Sequence, residues 1–543
     1  MTGSPPRSWL RPALAAALLV LVLIQPDRAS AINMGLLLQF PLELPVILFA
    51  MMVFGDRRSG RMVRAGVVVA LTAIFVLRSA DIAMTLALGR GFDPVSDLPL
   101  IDAAFRFIDG SFGRLAAVAV AICATLLIAA VAAAIWWATG VWARIDLPFP
   151  GRRIAAAGLA LAMIATVAGA GLMPGGWKTP EFLGTAGTTR FAAKTIVQAR
   201  DTMAGLREFA TAAAQDRFAG AEGLLDAIDR DVLIVFIESY GRTSIDTPYY
   251  AELHRATLDA AAARLSGLGL AMRSAYLASP TSGGQSWLAH ASLANGLWVD
   301  DQSRYRAVLA SGRQSLFHIA SRSGFRTAAV EPAITMPWPE SQSMGFDTVL
   351  AAKDLGYRGK PFNWVTMPDQ FTLAALDRNL RSGQDPRPLF AEVVLVSSHA
   401  PWVPVPVLLD WDRLGDGHVF DEMATSGDPP KVVWSDPERV RAQYRMAIDY
   451  ALTTVFDYAA RHAKDPPLMI ILGDHQTAGS IAMDERAQVP VHLIGPPSLI
   501  DRTAAWGWSE GLIPAPEPVI PMSRMRDMIL RAFTTDTGTG GAG

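Results

Sequence analysis

Cysteine is nearly absent: the chain of 543 residues has one, Cys123, inside an apolar run. A single thiol excludes an intramolecular disulfide, and it is compatible with an oxidising compartment without requiring one. A surplus of charge is absent too. Lys and Arg number 48 against 50 Asp and Glu, for a net charge of −2, which argues against a general nucleic-acid binder. There are no internal repeats, and the only low-complexity tract is the Gly/Thr-rich tail after Thr534, expected to be disordered. What is abundant is apolar sequence, 51% of the chain, concentrated in the first third. The length calls for two or three units.

Five apolar stretches precede residue 175: Trp9–Ile24, Met34–Phe54, Val63–Leu88, Leu115–Trp137 and Ile154–Leu172. A helix needs about 20 mainly apolar residues to cross the hydrocarbon core. The last four qualify, although the second contains Pro41, Glu43 and Pro45. The first is short, follows Arg7 and Arg11, and ends near Arg28-Ala29-Ser30-Ala31. It reads either as a signal peptide or as an uncleaved helix, and the four further spans favour the helix. Arg57, Arg58, Arg61 and Arg64 crowd the second loop, and Arg144, Arg152 and Arg153 the fourth. Asp93, Asp97, Asp102 and Asp109 outnumber Arg90, Arg106 and Arg114 in the third. The positive-inside rule then makes the Arg-rich loops cytoplasmic and everything after residue 175 external. Arg78 and Asp81, one turn apart, are expected near the outer headgroups, with the true span ending before Arg78.

Residues 1–175 are thus expected to form a transmembrane helical domain, and 176–230 a juxtamembrane linker with helices over 191–209 and 220–228. Residues 231–533 are expected to form an extracytoplasmic domain, and 534–543 a disordered tail. The outer domain opens with Val232–Ile237, a continuous β-branched and apolar run of the kind found in strands buried on both faces. Similar runs at Glu392–Ser397, Leu468–Leu472 and Val489–Ile494 alternate with helical stretches. The pattern predicts an α/β sandwich on a mostly parallel sheet.

Such folds bind ligands beyond the carboxyl ends of the strands. There the chain carries Glu238, after the first run, and Asp474-His475, after the third. A carboxylate and an Asp-His pair make a hard or borderline metal site, although an isolated Asp-His at a strand end is more often a solvated turn. Ser279–His290, rich in Ser, Thr and Gly, leads into the apolar stretch Trp287–Leu297. This predicts a helix with Ser286 as its N-cap, either a plain cap or an attacking hydroxyl beside a phosphate-binding helix end.

In order, the chain presents Phe-Ile-Glu238-Ser-Tyr-Gly, Gly-Gly-Gln-Ser286, Ser-Ser-His399-Ala-Pro-Trp, Leu-Gly-Asp474-His475 and Val-Pro-Val-His-Leu-Ile-Gly. This set resembles the sulfatase-like branch of the alkaline-phosphatase superfamily, and most of all the lipoteichoic acid synthases and glucan phosphoglycerol transferases. Those proteins also carry five N-terminal membrane helices, a helical linker and an extracytoplasmic catalytic domain. The resemblance implies that Glu238, Asp474 and His475 hold one divalent metal, Mn²⁺ or Zn²⁺, with Ser286 as nucleophile and fourth ligand. The family nucleophile precedes a Gly by ten positions, as Ser286 precedes Gly296; Thr281 and Ser282 are rivals. His399 matches a substrate-binding histidine, and Trp338 a tryptophan lining a phosphoglycerol pocket. The family has an arginine two residues after that tryptophan where this chain has Glu340, which weakens the case for a glycerolphosphate headgroup.

The implied reaction transfers phosphoglycerol or phosphoethanolamine from a membrane phospholipid to a glycan or other envelope acceptor, at a bacterial cytoplasmic membrane. The alternatives are a phosphatase or phosphodiesterase using the same site, and a catalytically dead membrane scaffold. A sulfatase activity is disfavoured, because Ser286-Trp-Leu-Ala-His290 lacks the Pro and Arg of the formylglycine context. His290 either faces the site or packs. His254, His318, His418, His462 and His492 are assigned no role.

Overall fold

A computed structural model describes residues 7–26, 39–88, 91–98, 100–173, 184–383 and 385–535. The chain divides into two compact units, residues 1–206 and 207–543.

Among the described residues of the first unit, three helices are long and apolar enough to cross a membrane: Arg58–Leu86, Arg114–Ala143 and Phe149–Gly169. They correspond to the third, fourth and fifth expected spans. The first expected span is a shorter helix, Arg7–Leu23. Of the second, Glu43–Phe54 is helical, and residues 34–38 lie outside the described residues. The third helix continues past Arg78 and Asp81 to Leu88. Arg78 Nη1 donates to Leu23 O at 3.1 Å, at the carboxyl end of the first helix, where carbonyls lack intrahelical donors. Asp81 Oδ1 accepts the Phe92 N–H at 2.7 Å. Both charges thus serve backbone ends.

In the linker, a helix spans Gly187–Ala214, but 220–228 is a series of turns. Gly220, Gly223 and Leu225 adopt φ of 72°, 68° and 61°, and left-handed residues cannot propagate a right-handed helix. The apolar periodicity there instead serves burial: Leu224, Leu225 and Ile228 join the core of the second unit.

That core surrounds one sheet with strands β1 (Val232–Ile237), β2 (Ala271–Ala278), β3 (Arg326–Glu331), β4 (Thr348–Ala351), β5 (Leu389–Leu395), β6 (Leu468–Gly473), β7 (Gln488–Gly495), β8 (Ser509–Glu510) and β9 (Val519–Pro521). The strand order is β4-β3-β5-β1-β6-β7-β2-β8, with β9 on β2. The sheet is mixed. It is parallel from β4 through β6 and antiparallel at β6–β7, β7–β2 and β2–β8. Every residue of β1, β5 and β6 is buried, so helices cover both faces where the parallel strands lie side by side.

Candidate metal centre

Parallel pairing builds the centre. β1 and β6 are neighbours with Ile237 opposite Gly473, so the next residues, Glu238 and Asp474, leave the sheet side by side. The strand on the other side of β1 is fastened to the same turn: Glu238 N donates to Leu395 O at 3.1 Å, and Ser398 Oγ to Glu238 O at 2.6 Å. The two turns touch so closely that a Cβ on Gly473 would lie 1.9 Å from Tyr240 O. Only glycine fits there.

The side chains converge. Asp474 Oδ1 accepts the N–H groups of Ser239 at 2.8 Å and His475 at 2.6 Å. His475 Nδ1 lies 3.0 Å from Gln476 O, a contact that requires the proton on Nδ1 and leaves Nε2 as the atom facing the carboxylates. That Nε2 is 3.2 Å from Glu238 Oε1 and 3.7 Å from Asp474 Oδ2. The three residues are buried, and Asp474 Oδ2 and His475 Nε2 have no hydrogen-bond partner. Two orphaned buried donor atoms are costly unless something binds them. Ligands about 2.0–2.2 Å from a tetrahedral cation lie roughly 3.3–3.6 Å from one another, close to the separations seen here. The donor set fits a divalent ion.

The electrostatics of the unliganded triad say the same. Burial opposes ionisation of Glu238, but His475, 3.2 Å away, outweighs it and holds that carboxyl well below its usual range. Burial and the Glu238 charge push Asp474 up to about 7. Burial works against the His475 imidazolium, yet Asp474 and Glu238 raise it to about 9. These residues hold protons that a divalent cation would displace.

Ser286 Oγ donates to Glu238 Oε2 at 3.1 Å. Ser286 is the first residue of the helix Ser286–Asn295, not its cap; the capping position is Gln285, left-handed at φ 64° and making no side-chain cap. The expectation of an N-cap serine is corrected accordingly: the hydroxyl is directed to Glu238 rather than to its own helix. The ten-residue spacing also gains a physical basis, since Gly296 is the left-handed residue (φ 65°) that ends this helix. The rival hydroxyls are engaged elsewhere, Thr281 Oγ1 with Gly284 O at 2.5 Å and Ser282 Oγ with Gln476 O at 3.4 Å.

His399 is half-buried on the loop after β5, with Nδ1 2.5 Å from Ala400 O. Trp338 packs on Phe346, ring centroids 6.1 Å apart, and Glu340 is exposed. His290 pairs with Glu392 at 3.3 Å. The five histidines assigned no role have local partners. His254 bonds the carbonyls of Ser244 and Arg445, His318 belongs to a capping box, His418 and His462 pair with Asp421 and Asp377, and His492 lies between Tyr240 and Ser274. Sequence reasoning missed Glu331 and Glu392. For Glu392 the available signal was a carboxylate inside an otherwise apolar strand; Glu331 is the last residue of β3.

Residues 230–481 match the sulfatase family model. No curated protein matches the chain. Among solved structures, it is similar to lipooligosaccharide phosphoethanolamine transferase A from Neisseria meningitidis, at 13% identity over 97% of this chain and 95% of that one, TM-score 0.45. It is also similar to the lipoteichoic acid synthase LtaP from Listeria monocytogenes, at 14% identity over 61% and 79%, TM-score 0.37. A third is the phosphoglycerol transferase GacH from Streptococcus pyogenes, at 13% identity over 62% and 92%, TM-score 0.35. The order of the motifs and the family match agree on where the sulfatase-like domain lies, over residues 230–481.

Proposed function

We propose that this protein transfers a phospho-headgroup, phosphoglycerol or phosphoethanolamine, from a membrane phospholipid to an extracytoplasmic acceptor such as an envelope glycan. The observation that carries the reading is the Ser286 hydroxyl, held 3.1 Å from Glu238 in a cluster where Asp474 Oδ2 and His475 Nε2 are buried and unpartnered. Glu238, Asp474, His475 and Ser286 would hold one Mn²⁺ or Zn²⁺ ion. When bound, it lowers the pKa of the hydroxyl and neutralises charge on the phosphoryl oxygens. Ser286 Oγ attacks phosphorus, its proton already directed at Glu238 Oε2, and the diacylglycerol oxygen leaves. An acceptor hydroxyl then attacks the phosphoserine and frees Ser286. His399 contacts a phosphoryl oxygen or protonates the leaving group, and Trp338 lines the headgroup pocket. N–H groups in the first turn of the Ser286 helix stabilise negative charge on the equatorial oxygens.

Long apolar helices suit a lipid donor, and the Arg-rich loops support a domain outside a bacterial cytoplasmic membrane. The test is product analysis of the full-length protein in detergent with Mn²⁺ or Zn²⁺. Metal-dependent release of diacylglycerol from phosphatidylglycerol or phosphatidylethanolamine supports the reading and names the donor. Cleavage of p-nitrophenyl phosphate with no diacylglycerol from either lipid would replace it with a hydrolase.

A further inference from the structure

Register brings a second set of ligand-type side chains together, distinct from the set around Ser286. Glu392 lies in the middle of β5, opposite Ile234 of β1 and Ala329 of β3. Side chains alternate along a strand, and register partners share a face. Glu331, two residues beyond Ala329, and Phe236, two beyond Ile234, therefore project from the same face as Glu392. The helix Ser286–Asn295 covers this face: His290 stacks on Phe236 with ring centroids 4.0 Å apart. That stacking fixes the imidazole, with Nδ1 3.3 Å from Glu392 Oε1. One potential ligand atom from each of His290, Glu331 and Glu392 lies within 4.8 Å of the others.

Three features show that packing alone does not account for this group. Relative exposures are 9% for His290, 6% for Glu331 and 1% for Glu392. His290 Nε2 and Glu392 Oε2 have no hydrogen-bond partner. Two carboxylates face each other away from water, where each disfavours ionisation of the other. An apolar residue at the middle of β5 would cost nothing of the kind.

We infer that His290, Glu331 and Glu392 form a second divalent-cation site, taking Mn²⁺ or Zn²⁺, that anchors the helix carrying Ser286 to the sheet. One imidazole and two carboxylates are a donor set for first-row divalent ions. The 3.3 Å separation matches the edge of a tetrahedral site. His290 is one turn from Ser286, so a cation here would fix the helix against β3 and β5. The role is positioning, since the Ser286 hydroxyl bonds to Glu238 and to none of these three side chains.

The test is metal content per chain by elemental analysis of full-length protein in detergent, stripped and then reloaded with Mn²⁺ or Zn²⁺. Wild type is expected to retain two ions. Glu331→Gln and Glu392→Gln, which keep side-chain volume, are each expected to retain one, and so is Asp474→Asn. Thermal melting verifies that each variant is folded; should either glutamine variant fail that check, the wild-type count decides alone. One ion in wild type, lost only in Asp474→Asn, would overturn the second site and leave the first intact. One ion lost in Glu331→Gln but kept in Asp474→Asn would do the reverse. No ion in wild type would overturn both, and identify the His290 group as a proton-sharing network.

Discussion

Three hydroxyls compete for the nucleophile's role, and their hydrogen bonds separate them. Thr281 and Ser282 spend theirs on backbone carbonyls, whereas Ser286 aims its own at Glu238. Ser286→Ala is therefore expected to lower the rate by at least about a thousandfold, with thermal stability unchanged. Thr281→Val is expected to stay within about tenfold, as initial rates on the same lipid will show. Removing a residue that merely orients a ligand costs about 10–100-fold in metal affinity. Asp474→Asn is expected to exceed that, measured by metal titration at fixed pH. Glu238, Asp474 and His475 were legible in the sequence because they follow apolar strands, where sheet topology gathers polar side chains. Glu331 and Glu392 were not. Sixty residues of intervening chain and the β3–β5 register must be known before they become neighbours.

Helix ends decide how the centre is presented. The helix of Ser286 stops where Gly296 takes φ +65°, and a Cβ there would lie 3.1 Å from Arg526 Cδ. Gly296→Ala is expected to cost about 1–2 kcal/mol, visible as a lower melting temperature, and to disturb Ser286 only through its helix. The Ser286–Gly296 spacing was readable as sequence, but its cause, a ten-residue helix with a left-handed end, was not. The start of that helix was misread because a serine beside a Gly-rich loop suits an N-cap, while here Gln285 takes the left-handed conformation ahead of it. Residues 220–228 show the same limit: apolar spacing reported burial correctly, and three left-handed residues removed the helix.

At the scale of the molecule, the long apolar helices and strands β1, β5, β6 and β7 were legible because each holds a largely apolar run. The other strands were less so, since β2 mixes Arg273 and Ser274 with apolar residues, β3 carries Arg326, Thr327 and Glu331, and β4, β8 and β9 are short. The second unit is tied across its length by Arg526, fully buried, which pairs with Asp216 and also donates to Gln314 O at 2.9 Å. Arg526→Ala would leave a buried carboxylate unpaired and is expected to cost about 3–5 kcal/mol, measured by thermal or denaturant melting. Burial opposes ionisation of Asp216, but Arg526 outweighs it and holds the carboxyl below its ordinary value. The folded-state pKa is the lower one, so this contribution is present above the unfolded value of about 4 and is lost as pH falls through the folded value. Asp216→Asn is expected to remove that part of the acid sensitivity, seen as a shallower loss of melting temperature below about pH 4.

The central claim is that Ser286 takes a phospho-headgroup from a lipid, and intact mass tests it most directly. Full-length protein would be incubated with Mn²⁺ or Zn²⁺ and phosphatidylglycerol or phosphatidylethanolamine, beside Ser286→Ala. The expected result is a headgroup-phosphate adduct on the wild type that is absent from the variant. An adduct that persists on Ser286→Ala, or wild type that stays unmodified while it turns over lipid, would contradict it.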